Sequence, residues 1–219
     1  MFKNQLVLED DKRYKIGIMG GTFDPIHYGH LVIAEQIRRN YNLDKVIFIP
    51  VGIPPHKREM KITKGEHRYL MILLATMTNP YLDVSRIEID KKDVSYTIET
   101  MRELNKKYSD KKVEFYFIIG ADAISTIETW EESAELLTMC KFIAATRPGV
   151  TNSNMLAMIE YYKENYSAEI QTMVVSAVDI SSTDIRNRIA GNRPIKYLLP
   201  EAVEHYILKN ELYSEDNCE

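Results

Sequence analysis

The sequence predicts an α/β protein built on a doubly wound parallel sheet, because short apolar runs rich in Val, Ile and Phe alternate with helical patterns. The runs are short and continuous, as expected for strands that are covered on both faces. Each strand–helix–strand unit implies that its two strands are parallel and that the crossover between them is right-handed. We therefore expect the strand order 3-2-1-4-5, with ligands bound beyond the carboxyl ends of strands 1 and 4, where the winding reverses.

The predicted strands are six, at 14–19, 45–50, 82–89, 113–119, 141–146 and 171–176. Helical patterns fall between and after them, at about 28–40, 65–78, 95–108, 122–138, 153–164, 182–190 and 200–209. One domain over residues 14–213 holds all of these elements, and its C-terminal helical part covers about 182–213. Residues 1–13 are interpreted as an N-terminal extension and residues 214–219 as a tail, both expected to be frayed.

The composition narrows the class of protein. Among 219 residues, 45% are hydrophobic and 27% are charged, which is ordinary for a globular protein. The net charge of −4 argues against a nucleic-acid polymer as partner, because the basic footprint is missing. Two cysteines, Cys140 and Cys218, suit a reducing cytoplasm. No apolar stretch reaches membrane length and no signal-peptide core is present, so we expect a cytoplasmic protein with no membrane partner. The oligomeric state stays open between a monomer and a homodimer.

The segment IGIMGGTFDPIHYGHL, residues 16–31, carries the parts of a polyphosphate site in the required order. Gly20-Gly21 lets the backbone approach a ligand closely, and the following helix presents free N–H groups and its positive dipole end to anions. His27 and His30, three residues apart, fall on one side of the first helical turn. A His-x-Gly-His sequence arises by chance in roughly half a per cent of chains of this composition, so the pattern favours a phosphate site over two unrelated histidines.

A second glycine-bearing strand end points to the same place. The fourth strand ends in Ile119-Gly120-Ala121-Asp122, and in the predicted order it faces the end of the first strand across the crevice. Asp122 is interpreted as a helix cap, a ligand of ribose hydroxyls or a metal ligand, and the sequence does not choose among these roles.

The segment Ile180-Ser181-Ser182-Thr183-Asp184-Ile185-Arg186 predicts another helix start. Ser181 or Ser182 can cap this helix, Asp184 suits its first turn, and Gly191 ends it. Arg186 and Arg188 add fork-shaped cationic donors that suit phosphate oxygens. The segment is therefore either a simple cap or a second anion-binding helix terminus aimed at the same crevice.

Two other features admit two readings each, and two further segments are interpreted as structural. Pro54-Pro55-His56-Lys57-Arg58 is a solvated basic loop or delivers Lys57 onto phosphates. Trp130, the one tryptophan, is a core residue or a platform that stacks on a flat heterocycle at a pocket wall. Ser95-Tyr96-Thr97 starts the third helix as an N-cap, and Glu66-His67-Arg68 is interpreted as structural.

Several catalytic classes lack their signatures in this chain. No Ser or Cys lies in an elbow-type turn, so a nucleophilic triad is not predicted. There is no Walker-type lysine loop and no cysteine-based zinc pattern, so no protein-held metal is predicted.

These motifs, taken together, resemble a known family. The chain is similar to the HxGH nucleotidyltransferases and, within them, to the bacterial nicotinate mononucleotide adenylyltransferases, from about Lys15 to Tyr213. The segments GGTFDPIHYGH, PPHK, SYT, FIIGAD with Trp130 downstream, TRPG and ISSTDIR occur in family order. The resemblance implies a Rossmann-like nucleotidyltransferase fold and an enzyme that makes a dinucleotide and pyrophosphate from ATP and nicotinate mononucleotide.

The resemblance also implies roles for individual residues. The ATP site would be lined through the backbone by Gly20, Gly21, Thr22 and Phe23. The ATP phosphates would be bound by His27, His30, Lys57 and the helix start at Ser181, Ser182, Thr183 and Arg186. Gly120 and Asp122 would lie beside ribose and phosphate. The nicotinate end would be held by Tyr96, Thr97 and Trp130, with Arg147 of the TRPG turn on the acceptor side.

The expected chemistry explains why no general base is evident. A phosphate monoester acceptor is mostly dianionic at neutral pH and attacks the α-phosphorus in line, without a covalent enzyme intermediate. Mg²⁺ is expected to arrive with ATP, because it prefers phosphates and water to a cage of protein ligands. Two alternatives remain: the same reaction with nicotinamide mononucleotide or phosphopantetheine as acceptor, and a non-catalytic nucleotide sensor on the same fold.

Overall fold

The computed structural model describes residues 12–53, 62–147, 153–176 and 179–214. In this part of the chain six strands form one parallel sheet in the order β3-β2-β1-β4-β5-β6. The strands are β1 Arg13–Gly21, β2 Lys45–Pro50, β3 Leu82–Val84, β4 Lys112–Gly120, β5 Lys141–Thr146 and β6 Ile170–Val174. The predicted order 3-2-1-4-5 is confirmed, and β6 adds a further strand beside β5.

The third predicted strand, 82–89, is wrong in its second half. Strand β3 pairs with β2 only from Leu82 to Val84. The chain then turns, and the Asp90 N–H donates to the Arg86 carbonyl at 3.0 Å. Arg86 also binds the carboxylates of Glu66 and Asp90, so local ion pairs stabilise a turn in a segment that the sequence predicts as a strand.

The helices that we use below are α1 Tyr28–Asn40, α2 Gly65–Thr76, α3 Thr97–Lys107, α4 Ala121–Ile124, α5 Ser133–Met139, α6 Ser153–Tyr166, α7 Ser182–Ala190 and α8 Glu201–Lys209. Six of them agree with the predicted helices, whereas the predicted helix 122–138 is wrong as a single element. It divides into α4, a 3-10 turn at Ile127–Thr129 and α5, because Trp130 is extended and Glu132 has a left-handed φ of 47°. None of the described helices is both long and apolar enough to cross a membrane.

The core lies on both faces of the sheet. Side chains alternate along β2, so that Val46 and Phe48 pack with α1, α2, α7 and α8, while Ile47 and Ile49 pack with α3, α4, α5 and α6. Both faces of each central strand are therefore covered, which accounts for the continuous apolar runs in the sequence.

The sheet places the two glycine-bearing strand ends side by side. Strand β1 lies between β2 and β4, with Met19 opposite Ile118 and Gly20 opposite Ile49. The chain moves from β1 toward β3 on one side and from β4 toward β6 on the other, so the winding reverses between β1 and β4. The predicted crevice therefore lies at the carboxyl ends of these two strands.

Candidate active site

Two neighbouring cavities open at the carboxyl ends of β1 and β4. The histidine cavity, of about 610 Å³, is lined by His27 and His30 together with Asp122, Arg147, Ser181 and Ser182. The Trp130 cavity, of about 490 Å³, is lined by Gly20, Gly21, Thr22, Tyr96, Thr97 and Trp130. Ile119 and Gly120 line both cavities. A ligand that fills both cavities would therefore contact the carboxyl end of β4.

The histidine pair forms the start of α1. The two imidazole rings stack with their centroids 3.8 Å apart and their planes 28° from parallel. The backbone N–H of His27 donates to Nδ1 of His30 at 3.3 Å, which leaves Nε2 of His30 as its proton-bearing nitrogen. Nδ1 of His27 is buried and has no hydrogen-bond partner among the described residues. An anion at this helix start can therefore meet ring N–H groups as well as backbone donors.

Burial holds both histidines neutral in the ligand-free protein. Desolvation lowers the pKa of His27 to about 4. Desolvation, with repulsion from His27 as a smaller cause, lowers the pKa of His30 to about 3. A bound polyphosphate would oppose both effects, because negative charge next to an imidazole favours its protonated form.

The loop between β1 and α1 is held by side chains from other elements. Ser182 Oγ donates to the Pro25 carbonyl at 2.8 Å, and Arg186 Nη1 donates to the Asp24 carbonyl at 2.7 Å. Arg186 also approaches Thr183 Oγ1 with Nη2, at 3.4 Å. These contacts place the start of α7 against the loop that leads into the histidine pair.

The start of α7 is capped by a side chain and lies at the histidine cavity, while its binding of an anion stays a prediction. Ser181 Oγ accepts the Asp184 N–H at 3.1 Å and so caps the helix. Ser181 and Ser182 also line the histidine cavity, whereas Thr183 and Arg186 do not. The free N–H groups of α7 thus lie near those of α1 at one cavity, which favours an anionic ligand.

Four residues of the first motif, Gly20 to Phe23, do not line the histidine cavity. Gly20, Gly21 and Thr22 line the Trp130 cavity rather than the histidine cavity. Phe23 is buried with a left-handed φ of 50°, and its ring packs edge-on against His30 with the centroids 5.0 Å apart. The Phe23 side chain lines neither cavity, because the turn after β1 directs it into the core. It contacts the His30 ring from the core side.

Arg147 of the TRPG turn lies at the histidine cavity. It follows β5, and it lines the histidine cavity rather than the Trp130 cavity. Its side chain is exposed, and Nη1 donates to Asp179 Oδ1 at 3.0 Å. The carboxyl end of β5 faces the α7 side of the crevice, so the arginine is carried toward the histidines.

Trp130 packs against the core and also lines a cavity, while its stacking on a flat heterocycle stays a prediction. Its ring meets Phe117 edge-on, with centroids 6.2 Å apart, and it packs against the core from a partly buried position. It also lines the Trp130 cavity. Tyr96, the N-cap residue of α3, and Thr97, its first residue, lie at the same cavity. An aromatic wall next to a helix start suits a flat, anionic ligand.

Gly120 and Asp122 lie at the junction between the cavities. Gly120 is the N-cap residue of α4, and a Cβ added there would meet no atom within 4 Å. Asp122 lies in the first turn of α4 and lines the histidine cavity. Lys57 lies outside the described residues, so its predicted contact with phosphates stays a prediction.

A buried carboxyl group of the Trp130 cavity was missed by sequence reasoning. Glu88 Oε1 accepts a hydrogen bond from Thr100 Oγ1 at 2.8 Å, and desolvation raises the pKa of Glu88 despite a hydrogen bond with the Gly52 backbone. Ser95 Oγ, at the same cavity, is buried without a hydrogen-bond partner among the described residues. A charged residue within a run predicted as an apolar strand was the available signal.

Arg68, interpreted from the sequence as structural, is one of the largest fully buried side chains. Its guanidinium donates to the carbonyls of Thr63 at 2.8 Å, Thr22 at 2.9 Å and Val51 at 2.7 Å. It therefore joins the ends of β1 and β2 to the start of α2. These bonds fix the wall of the Trp130 cavity, because Thr22 and Val51 both belong to it.

The comparisons with known proteins agree with this geometry. A family model described as cytidylyltransferase-like matches residues 18–188. The chain is 54% identical to a probable nicotinate-nucleotide adenylyltransferase of Thermoanaerobacter sp. (strain X514), over 94% of this chain and 97% of the relative. A relative of the same name from Moorella thermoacetica is 52% identical over 91% of each chain. The chain belongs to the nicotinate-nucleotide adenylyltransferase family.

Solved structures show the same fold at lower sequence identity. Plasmodium falciparum nicotinic acid mononucleotide adenylyltransferase complexed with NaAD superposes with a TM-score of 0.74, at 20% identity over 92% of this chain and 98% of that chain. The same enzyme complexed with APC gives a TM-score of 0.72 over the same shares. The fold of these structures thus covers almost the whole chain.

Proposed function

We propose that this protein transfers the adenylyl group of ATP to nicotinate mononucleotide, giving nicotinate adenine dinucleotide and pyrophosphate, as the names of its relatives indicate. The observation that carries the proposal is the pair of adjoining cavities with a common wall at Ile119 and Gly120. One cavity has the donors that a polyphosphate needs, and the other has an aromatic platform for a pyridine ring. Their junction is where a new phosphate bridge between two nucleotides would form.

ATP occupies the histidine cavity in this proposal. His27 and His30 contact its phosphates with ring N–H groups, while the starts of α1 and α7 supply backbone donors. Arg186 adds positive charge behind the α7 start, where it also holds the Asp24 carbonyl. Lys57 and Arg147 are proposed as further cations for the phosphates. Arg147 thereby changes sides relative to the acceptor role expected from the sequence.

Nicotinate mononucleotide occupies the Trp130 cavity. Its pyridine ring stacks on Trp130, and its carboxylate meets the helix start at Tyr96 and Thr97. Gly20, Gly21 and Thr22 offer backbone groups to its phosphate at the end of β1. Gly120 leaves room for the reacting phosphates because it has no side chain.

The reaction is an in-line displacement at the α-phosphorus of ATP. A phosphate oxygen of the acceptor bonds to the α-phosphorus. At the same time the bond from the α-phosphorus to the oxygen that bridges it to the β-phosphorus breaks, and pyrophosphate leaves with the electron pair of that bond. No proton has to be removed from a dianionic acceptor, so the side chains act by alignment and charge stabilisation. The ring N–H groups of the histidines stabilise the negative charge that grows on the leaving pyrophosphate.

Mg²⁺ is proposed to enter with ATP, where it neutralises charge on the leaving pyrophosphate. Among the described residues, no group of three or more His, Cys, Asp or Glu side chains is placed to hold a metal ion. Asp122 offers a carboxylate at the histidine cavity, and with the ATP phosphates and water it suits the oxygen preference of Mg²⁺. We further propose a cytoplasmic location, because a free, buried thiol such as that of Cys140 is typical of proteins in a reducing compartment.

The test is pyrophosphate release by the purified protein with ATP, Mg²⁺ and one of three acceptors: nicotinate mononucleotide, nicotinamide mononucleotide or phosphopantetheine. We expect the acid form to be strongly preferred. Preference for either other acceptor would contradict the proposal, and tight ATP binding without any release would indicate a sensor.

A pair of variants then tests the histidine cavity. His30→Ala should lower kcat/KM by about 100-fold or more, as expected for loss of a preorganised donor, with little change in thermal stability. His205→Ala is the matched control, because His205 is exposed on α8 away from both cavities. Normal turnover of His30→Ala would remove this residue from the mechanism.

A further inference from the structure

The loop that leads into the histidine pair contains a buried carboxylate that neither cavity uses. Asp24 is 5% exposed, precedes His27 by three residues and lines neither cavity. Both of its carboxylate oxygens have hydrogen-bond partners. Oδ1 accepts from Tyr213 Oη at 2.6 Å, and Oδ2 accepts from the Thr63 N–H at 3.2 Å.

Tyr213 reaches this loop from 189 positions away in the sequence. It lies just beyond α8, with a left-handed φ of 66°, and the neighbouring Leu212 N–H donates to the Ile207 carbonyl at 3.1 Å. Burial, followed by the charge of Asp24, raises the pKa of the tyrosine hydroxyl. The hydroxyl therefore stays protonated and donates to Asp24 at all working pH values.

The hydrogen bond between Tyr213 and Asp24 is one of several that hold the loop between β1 and α1 in place. Arg186 holds the Asp24 carbonyl and Ser182 holds the Pro25 carbonyl, both from α7. Arg68 holds the preceding Thr22 carbonyl from α2. Tyr213 ties the loop to the segment after α8. A buried, charge-assisted hydrogen bond of this length is stronger than a neutral one and fixes the position of its acceptor.

A shift of Asp24 would be passed on to the histidines over a short distance. Only Pro25 and Ile26 separate it from His27, and both are buried. The His27 N–H in turn donates to His30 Nδ1, so the loop orients both rings. The carboxylate also lies close enough to the buried Arg68 to stabilise its charge.

We propose that Tyr213 is a positioning residue for the ATP site, acting through Asp24 on the loop that sets the histidine pair. Tyr213 touches no substrate, because it lines neither cavity. The segment after α8 is thus part of the phosphate-binding apparatus. The inference rests on the proposed function only for its kinetic readout, since ATP binding can be measured without the acceptor.

The test compares Tyr213→Phe with Tyr206→Phe. Both changes remove one hydroxyl and keep the ring, and Tyr206 Oη is hydrogen-bonded to His67 Nδ1 at 2.8 Å, away from both cavities. For Tyr213→Phe we expect the Kd and the KM for ATP to rise about tenfold, as for loss of a hydrogen bond to a charged group. The KM for nicotinate mononucleotide should stay within about twofold. Tyr206→Phe should leave all three values unchanged.

A double-mutant cycle with Asp24→Asn shows whether Tyr213 acts through Asp24. The two single changes should not add, so Tyr213→Phe should have little further effect on ATP binding in the Asp24→Asn protein. NMR signals of the His27 and His30 rings should move in Tyr213→Phe, and urea unfolding checks that each variant is folded.

Three results would overturn the proposal. They are unchanged ATP binding in Tyr213→Phe, equal loss of affinity for both substrates, and independent addition of the two single changes. If instead the wild-type protein forms no dinucleotide, the proposed function fails, and the ATP Kd values still test the role of Tyr213.

Discussion

The His30 ring stacks on the His27 ring and accepts the His27 backbone N–H with its Nδ1, so each histidine orients the other. Because desolvation disfavours the protonated form of both rings, the pKa values lie at about 4 for His27 and about 3 for His30. The pair therefore starts the catalytic cycle uncharged and able to gain protons from an anionic ligand.

Binding of MgATP should be accompanied by proton uptake near pH 6. The free histidines are neutral at this pH, and the phosphates raise the pKa of each ring toward the working pH. Calorimetric titration in two buffers with different ionisation enthalpies measures the protons taken up. We expect up to one proton per ATP, and His30→Gln should reduce the number. Equal heats in the two buffers would contradict this prediction.

Stability should fall as the pH is lowered from about 6.5 toward 4. In the unfolded chain both histidines have ordinary pKa values near 6.5, so the unfolded state binds protons that the folded state refuses. Each histidine then costs roughly 2 kcal/mol of unfolding free energy at pH 5 relative to pH 8. Urea unfolding at the two pH values measures this loss. His30→Gln should flatten the dependence, whereas His205→Gln, at an exposed position, should not.

Trp130→Ala should weaken the acceptor far more than ATP. Loss of stacking on a flat ring costs about 1–3 kcal/mol, so the KM for nicotinate mononucleotide should rise about tenfold to 100-fold. Because Trp130 is the one tryptophan of the chain, its fluorescence in the wild-type protein should report acceptor binding directly. Trp130→Phe should retain part of the affinity. A larger effect on ATP would place the acceptor elsewhere.

Two glycine substitutions should separate folding from substrate access. A Cβ at Gly52 would lie 2.2 Å from the Glu88 carbonyl oxygen and 2.7 Å from Ser95 Oγ, whereas a Cβ at Gly120 would meet nothing within 4 Å. Gly52→Ala should therefore lower the melting temperature. Gly120→Ala should keep it and reduce kcat/KM, because the new methyl group occupies the junction of the cavities. Thermal unfolding and steady-state kinetics measure both, and the reverse pattern would contradict the assignment of the junction.

The parts of the site that follow strands β1 and β4 could be predicted from the sequence, because their signal is local. Gly20, His27, His30 and Gly120 lie within short segments whose strand and helix patterns are unambiguous, and parallel topology brings those segments together. The assignment of individual residues to one cavity or the other was harder to predict from the sequence. Which wall a residue joins depends on small turns, as Thr22 and Arg147 show.

Contacts between distant segments could not be predicted. Arg68 binds backbone carbonyls, and every residue offers such an acceptor, so no partner residue type marks the contact in the sequence. Glu88 and Thr100 meet because the chain turns after β3, where the sequence predicts a longer strand. Tyr213 and Asp24 are a compatible pair of residue types, yet only the complete fold shows that they meet.

The common wall of Ile119 and Gly120 has a consequence for the end of the catalytic cycle. A dinucleotide that lies across this wall is a bivalent ligand: each half holds the other at a high effective concentration, so its dissociation requires both to leave. Either mononucleotide departs by breaking one set of contacts. We therefore expect the product to compete with both substrates and its escape to limit turnover when the chemical step is fast.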